Sequence, residues 1–126
     1  LLAATHVVHN DASSGVYIAG LLEKLGLKAL LGDRIVVVNS GSAINTMVAE
    51  KGPGAIGMGQ ISEIQVMISK GCSVKLVAPL PDAIQNISTY YTAAMVASTA
   101  PGPAAALAQA LTDEAAKTVF AATGID

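Results

Sequence analysis

Three short stretches concentrate the residues able to hold a ligand. They are Asp11-Ala12-Ser13-Ser14-Gly15, Asn39-Ser40-Gly41-Ser42 and Gly57-Met58-Gly59-Gln60. Each joins small residues to a hydroxyl or amide just ahead of an apolar helical pattern. A helix N-terminus carries unsatisfied N–H donors and a partial positive charge, so such a turn can hold an anion without a cationic side chain. Ser, Asn and Gly at a helix start are also ordinary caps, which is the first explanation for any one turn. Three such turns on one sheet edge carry more weight than one. The candidate ligand contacts are Ser13, Ser14, Gly15, Ser40, Gly41, Ser42 and Gln60.

Other chemistry has thinner support. His9, Asp11 and Glu63 are the acid–base candidates near these turns, with no obvious partner for any of them. His6 and His9 lie three apart on a strand and turn without a third ligand, so no metal site is expected, and His6 is expected to be a satisfied structural histidine. Ser13-Ser14-Gly15 does not fit the G-x-S-x-G nucleophile elbow. Gly57-Met58-Gly59 lacks the remaining glycine of a dinucleotide fingerprint, so no cofactor is expected. Met47, Met58, Met67 and Met95 are expected as core filler, and Tyr90-Tyr91 within a strand would send one ring to each face.

The elements that must position these turns follow from periodicity. Strands are expected over 4–8, 34–39, 55–59, 74–78 and 88–97. The run Ile35-Val36-Val37-Val38 suits a strand covered on both faces. Helices are expected from Gly15 to Leu25, from the Ser40-Gly41-Ser42 turn to about Glu50, behind Gln60 up to Gly71, from Pro103 to Leu111, and from Asp113 to Gly124 with Val119 and Phe120 inward. Leu27 to Gly32 reads as a short extra turn, and Pro101-Gly102-Pro103 as a joint. Strands alternating with helices predict an α/β fold, with a mainly parallel sheet flanked by helices.

Composition bounds the function. The 126 residues are one domain's worth of chain; 52% are apolar and 13% charged, which excludes disorder. A net charge of −2 with scattered Lys and Arg does not suit nucleic-acid binding. The single Cys72 excludes an internal disulfide. The uncharged run from Ala83 to Thr112 is interrupted by Gln85, Asn86 and Pro101-Gly102-Pro103, so it reads as strand plus helix rather than a membrane span. No signal-peptide pattern opens the chain. It begins at Leu1 rather than Met, which leads us to expect a processed product or a fragment.

Several segments resemble the second lobe of molybdate-type (type II) periplasmic solute-binding proteins of ABC transporters. They are Asp11-Ala12-Ser13-Ser14-Gly15-Val16-Tyr17, Leu21-Leu22-Glu23-Lys24-Leu25-Gly26 and Ile56-Gly57-Met58-Gly59-Gln60-Ile61-Ser62-Glu63-Ile64. Val77-Ala78-Pro79-Leu80-Pro81 with Gln85, and the ending Phe120-Ala121-Ala122-Thr123-Gly124, belong to the same pattern. The resemblance implies one lobe of a type II fold, with residues 1–87 as its core and 88–126 as a C-terminal strand and helices, swapped between chains in one arrangement. It places the other lobe ahead of Leu1. It implies a small anionic solute, molybdate or another oxyanion or a small carboxylate, and a membrane permease as partner. It also implies a periplasmic or secreted location. Ser14 and Ser42 fall on backbone contacts of the family, and Gln60 falls where molybdate binders place a Tyr hydroxyl. Some relatives resemble isomerases of small unsaturated polycarboxylates, which is the alternative activity. A lobe that exposes the face its partner covered predicts a homodimer.

Overall fold

The computed structural model describes residues 1–86 and 101–125. The chain divides into two compact units, Leu1–Gln85 and Asn86–Asp126, each taken by itself below.

The first unit is built on a parallel sheet with strand order β2-β1-β3. The strands are β1 (His6–Asn10), β2 (Ile35–Val38) and β3 (Ala55–Gly57). Its helices are α1 (Ser13–Lys24), α2 (Leu27–Leu31), α3 (Gly41–Lys51) and α4 (Ile61–Ser69). The central strand β1 pairs with β2 from Val7↔Ile35 to Asn10↔Val38, and with β3 from His6↔Ala55 to Val8↔Gly57. Alternate residues of β1 face opposite sides. Val7 packs with Ile18 and Leu22 of α1 and Leu31 of α2. Val8 lies beside Gly57, which is in close contact with Ile44 and Val48 of α3. The two crossovers run in opposite directions along the sheet, so α1 and α3 cover opposite faces. Val7 and Val8 are both 0% exposed, which marks β1 as the core.

Turn chemistry explains the boundaries. Gly26, Gly52 and Gly71 follow α1, α3 and α4 at positive φ, a backbone state open to glycine at no steric cost. The three helix starts differ. Ser40 Oγ accepts a hydrogen bond from the Ala43 N–H at 3.2 Å, an ordinary cap for α3. Neither α1, preceded by Ala12, nor α4, preceded by Gln60, has a side-chain cap. Gly15 packs directly on the end of β1, where a Cβ would run into the Asn10 carbonyl. Arg34 ties the chain start to α2: its guanidinium donates to the carbonyls of Leu2, Ala4, Leu30 and Leu31. Tyr17 Oη donates to the Ile84 carbonyl at 3.0 Å, and Gln85 Nε2 to that of Leu80 at 2.8 Å. The first bond holds residues 80–85 to α1, and the second closes that segment on itself.

Several expectations are corrected. The first strand covers His6–Asn10 rather than 4–8, because the ladder to β2 runs on to Asn10↔Val38. Among the described residues β2 stands at an edge of the sheet, and it is not covered on both faces, since Val37 is 55% exposed while Ile35, Val36 and Val38 are half-buried. Residues 74–78 form no strand. Cys72, Val74 and Leu76 are half-buried while Ser73, Lys75 and Val77 are exposed, which is strand periodicity, but among the described residues this segment has no ladder partner. It lines, together with β3, an apolar cavity of about 780 Å3 whose walls include Leu21, Leu25 and Val48. The expected strand over 88–97, with Tyr90, Tyr91 and Met95, lies outside the described residues. Met58 is buried, and Met47 and Met67 are half-buried.

In the second unit, α5 spans Pro101–Ala110 and α6 spans Glu114–Ala122. Pro101-Gly102-Pro103 is not a joint but the first turn of α5, where a missing N–H costs nothing. Asp113 caps α6 by accepting from the Ala116 N–H at 2.8 Å, and Gly124 follows at positive φ. Phe120 is half-buried, as expected of an inner face, whereas Val119 is exposed.

These contacts fix the expected outcome of four substitutions. Gly15→Ala forces the collision with Asn10 and lowers unfolding stability by about 1–3 kcal/mol in urea titration. Gly20 has open space and an ordinary φ within α1, so Gly20→Ala raises stability by about 0.5–1 kcal/mol in the same assay. Ser40→Ala removes a cap and costs about 1 kcal/mol. Ser13→Ala, at an exposed position outside any cap bond, stays within about 0.5 kcal/mol of wild type.

Candidate functional site

The parallel sheet brings the ends of β1, β2 and β3 to one edge, where α1, α3 and α4 begin. Open α/β sheets bind ligands at this carboxyl edge. Two backbone bonds hold the turns together. The Asp11 N–H donates to the Val38 carbonyl at 2.9 Å, and the Met58 N–H donates to the Val8 carbonyl at 2.9 Å. Thus all seven proposed contact residues stand on or beside one edge, though they are not equivalent.

At the β1–α1 turn, Ser13 is exposed, Ser14 half-buried and Gly15 buried. The first intrahelical bond of α1 comes from the Val16 N–H to the Ala12 carbonyl. The N–H groups of Ser13, Ser14 and Gly15 precede it and have no acceptor within the helix. Ser14 Oγ donates to Asn10 Oδ1 at 3.3 Å instead of capping its own helix. Asn10 is only 2% exposed and supports this turn from beneath, a role the sequence does not single out because Asn10 reads as part of a polar loop.

At the β2–α3 turn, Ser40 is occupied as a cap, and its Oγ lies 3.2 Å from Ser42 Oγ. Gly41 is buried beneath a carboxylate: a Cβ there would fall inside the Glu63 side chain. Ser42 borders a shallow groove with Asn39, Met47 and Met67. At the β3–α4 turn, Gln60 is half-buried and stands immediately before α4 without capping it. The large apolar cavity lies along β3 and reaches this rim at Gly57, Met58, Gly59 and Ile61; none of the seven contact candidates lines it.

The acid–base candidates are separated. His9 is in β1, 5% exposed, with Nδ1 placed 2.8 Å from the Asn10 carbonyl. Asp11 is exposed and Glu63 is half-buried. Among the described residues no hydrogen bond joins any two of the three. His6 and His9 both lie in β1, three apart, and so face opposite sides of the sheet rather than one site. Among the described residues the buried Nδ1 of His6 has no hydrogen-bond partner, so His6 departs from the satisfied histidine expected. Among the described residues, no group of three or more His, Cys, Asp or Glu side chains is placed to hold a metal ion. No described helix is long and apolar enough to cross a membrane.

What remains at the rim is a set of uncharged donors at an uncapped helix start, an amide, and two carboxylates, the exposed Asp11 and the half-buried Glu63. No curated protein and no solved structure matches the chain. The profile of the family described as bacterial extracellular solute-binding protein matches residues 5–126. The chain therefore belongs to the bacterial extracellular solute-binding proteins, and its first unit is an α/β lobe of that kind.

Proposed function

We propose that this chain captures a small solute through a negatively charged group, an oxyanion or a carboxylate, and hands it to the membrane permease of an ABC uptake system. The observation that carries the reading is the uncapped start of α1, with the N–H groups of Ser13, Ser14 and Gly15 ahead of the first intrahelical bond. Such donors, together with the helix dipole, favour an anionic group. Gln60 adds an amide that can both donate and accept, which suits a carboxylate as well as molybdate. The family match supports solute delivery and a periplasmic or secreted location. Among the described residues no strand pairs with the outer edge of β2 or β3, and Val37 and Ile56 on those edges are exposed. These features support a homodimer in solution.

Calorimetry on the whole chain with molybdate, sulfate, succinate and citrate tests the reading, and saturable binding of at least one is the expected result. Ser13→Pro is the informative variant. Ser13 is the first helical residue and Ala12 is extended, with φ −79° and ψ −175°, so proline fits the backbone and deletes one N–H. One hydrogen bond to a charged group is worth about 1.5–3 kcal/mol, so affinity falls about tenfold to a hundredfold while the unfolding midpoint holds. Unchanged affinity removes α1 from the site. Light scattering is expected to give twice the 12.6 kDa chain mass, and a monomer removes the dimer.

A further inference from the structure

The outer edge of β2 carries a defined set of backbone groups. Successive residues of a parallel strand turn their N–H and C=O to opposite neighbours. The Val38 carbonyl accepts from the Asp11 N–H, so Val36 and Val38 face β1. Ile35 and Val37 therefore turn their backbone groups outward. The Ile35 N–H is taken by the Gly32 carbonyl. Among the described residues the Ile35 C=O and both groups of Val37 have no partner, and the N–H of the exposed Asn39 has no acceptor. Val37 shares a face with Ile35, which packs against the core, yet it stays 55% exposed. Free groups of this kind template a further strand, and natural edges are commonly blunted by charge, proline or a bulge. Ile35-Val36-Val37-Val38 carries no charge and no proline, and its register to β1 is unbroken.

We propose that β2 is the edge on which two copies of this chain pair, antiparallel about a two-fold axis at Val37, so that one sheet runs through both protomers. The inference rests on the homodimer reading and names its surface. In this register each Val37 donates to and accepts from the partner's Val37, and the Ile35 C=O accepts from the partner's Asn39. All four outward groups are matched by the same four groups of a second copy, which is why the occupant is this chain itself. A two-fold interface has this property: each residue meets its counterpart reciprocally. The two Val37 side chains stand opposite each other on one face as a β-branched pair. The nearest charges, Asp33 and Arg34, fall toward the partner's Gly41 and the partner's Ser40, so like charges do not meet. β3 is less suited. Its edge borders the cavity walled by residues 73–80, and its Ala55 N–H is already taken by the Gly52 carbonyl.

Light scattering on the whole chain is expected to give twice the 12.6 kDa chain mass for wild type and the single mass for Val37→Lys, which sets two ammonium groups against each other at the axis. Val37→Thr keeps an uncharged, β-branched side chain and is expected to remain a dimer. Thermal unfolding confirms the fold of both. Hydrogen-bonded partners in an antiparallel pair have Cα atoms about 5.5 Å apart, within disulfide reach. Val37→Cys in a Cys72→Ser chain is therefore expected to cross-link to the double mass on mild oxidation, whereas Val16→Cys, exposed on α1, is not. If Val37→Lys does not fold, the cross-link decides. A dimer that survives Val37→Lys leaves the homodimer reading standing and overturns β2 as its surface. Dissociation without the cross-link overturns the register about Val37. Monomeric wild type removes both.

Discussion

The hydrogen-bonded ladder on both edges of β1 is the constraint from which the first unit is assembled. Val7 and Val8 are fully buried on opposite faces, so α1 and α3 must each pack against one side of the same strand. All three strands run parallel, so their ends and the starts of the following helices collect on one edge. The polar rim is therefore a product of topology before it is a product of ligand chemistry. Had β2 or β3 paired antiparallel, Gln60 or Ser40 would stand at the far end of the sheet from Ser14.

That rim and the apolar cavity are separate consequences of the same sheet. The rim gathers where strands end, and its donors are backbone groups that cannot be buried unpaired without cost. The cavity follows the open edge of β3, bounded by α1, α3 and the extended residues 73–80. Its walls are mostly aliphatic, and its polar contributors are few. A small charged solute gains nothing from such a lining, whereas the uncapped start of α1 offers dipoles already aimed outward.

Much of this was legible in the residues, where the determinant is local. Gly26, Gly52, Gly71 and Gly124 mark helix ends because positive φ is a single-residue property. Ser40 marks the start of α3 because a cap reaches only three residues. The three turns were legible for the same reason, as was the parallel α/β class. What the chain does not spell out is non-local. Asn10 looks like loop until the register to Val38 draws it into β1 and buries it. Residues 74–78 carry strand periodicity, yet a strand needs a partner, and the pattern names none. Glu63 sits at ordinary helix-start spacing, and nothing in that spacing tells that it turns from its own helix to Gly41.

Arg34 shows how a lone charged side chain can fasten a chain without a counter-ion. Its guanidinium spans the carbonyls of Leu2, Ala4, Leu30 and Leu31, so the opening residues are moored to the end of α2 by neutral acceptors alone. A guanidinium offers five donors in a fixed fork and no acceptor, which suits a ring of neutral carbonyls. A clasp of this make has no carboxylate to be neutralised by acid. The entry to the central strand is thereby fastened by a side chain that asks for no matching acidic residue elsewhere in the first unit.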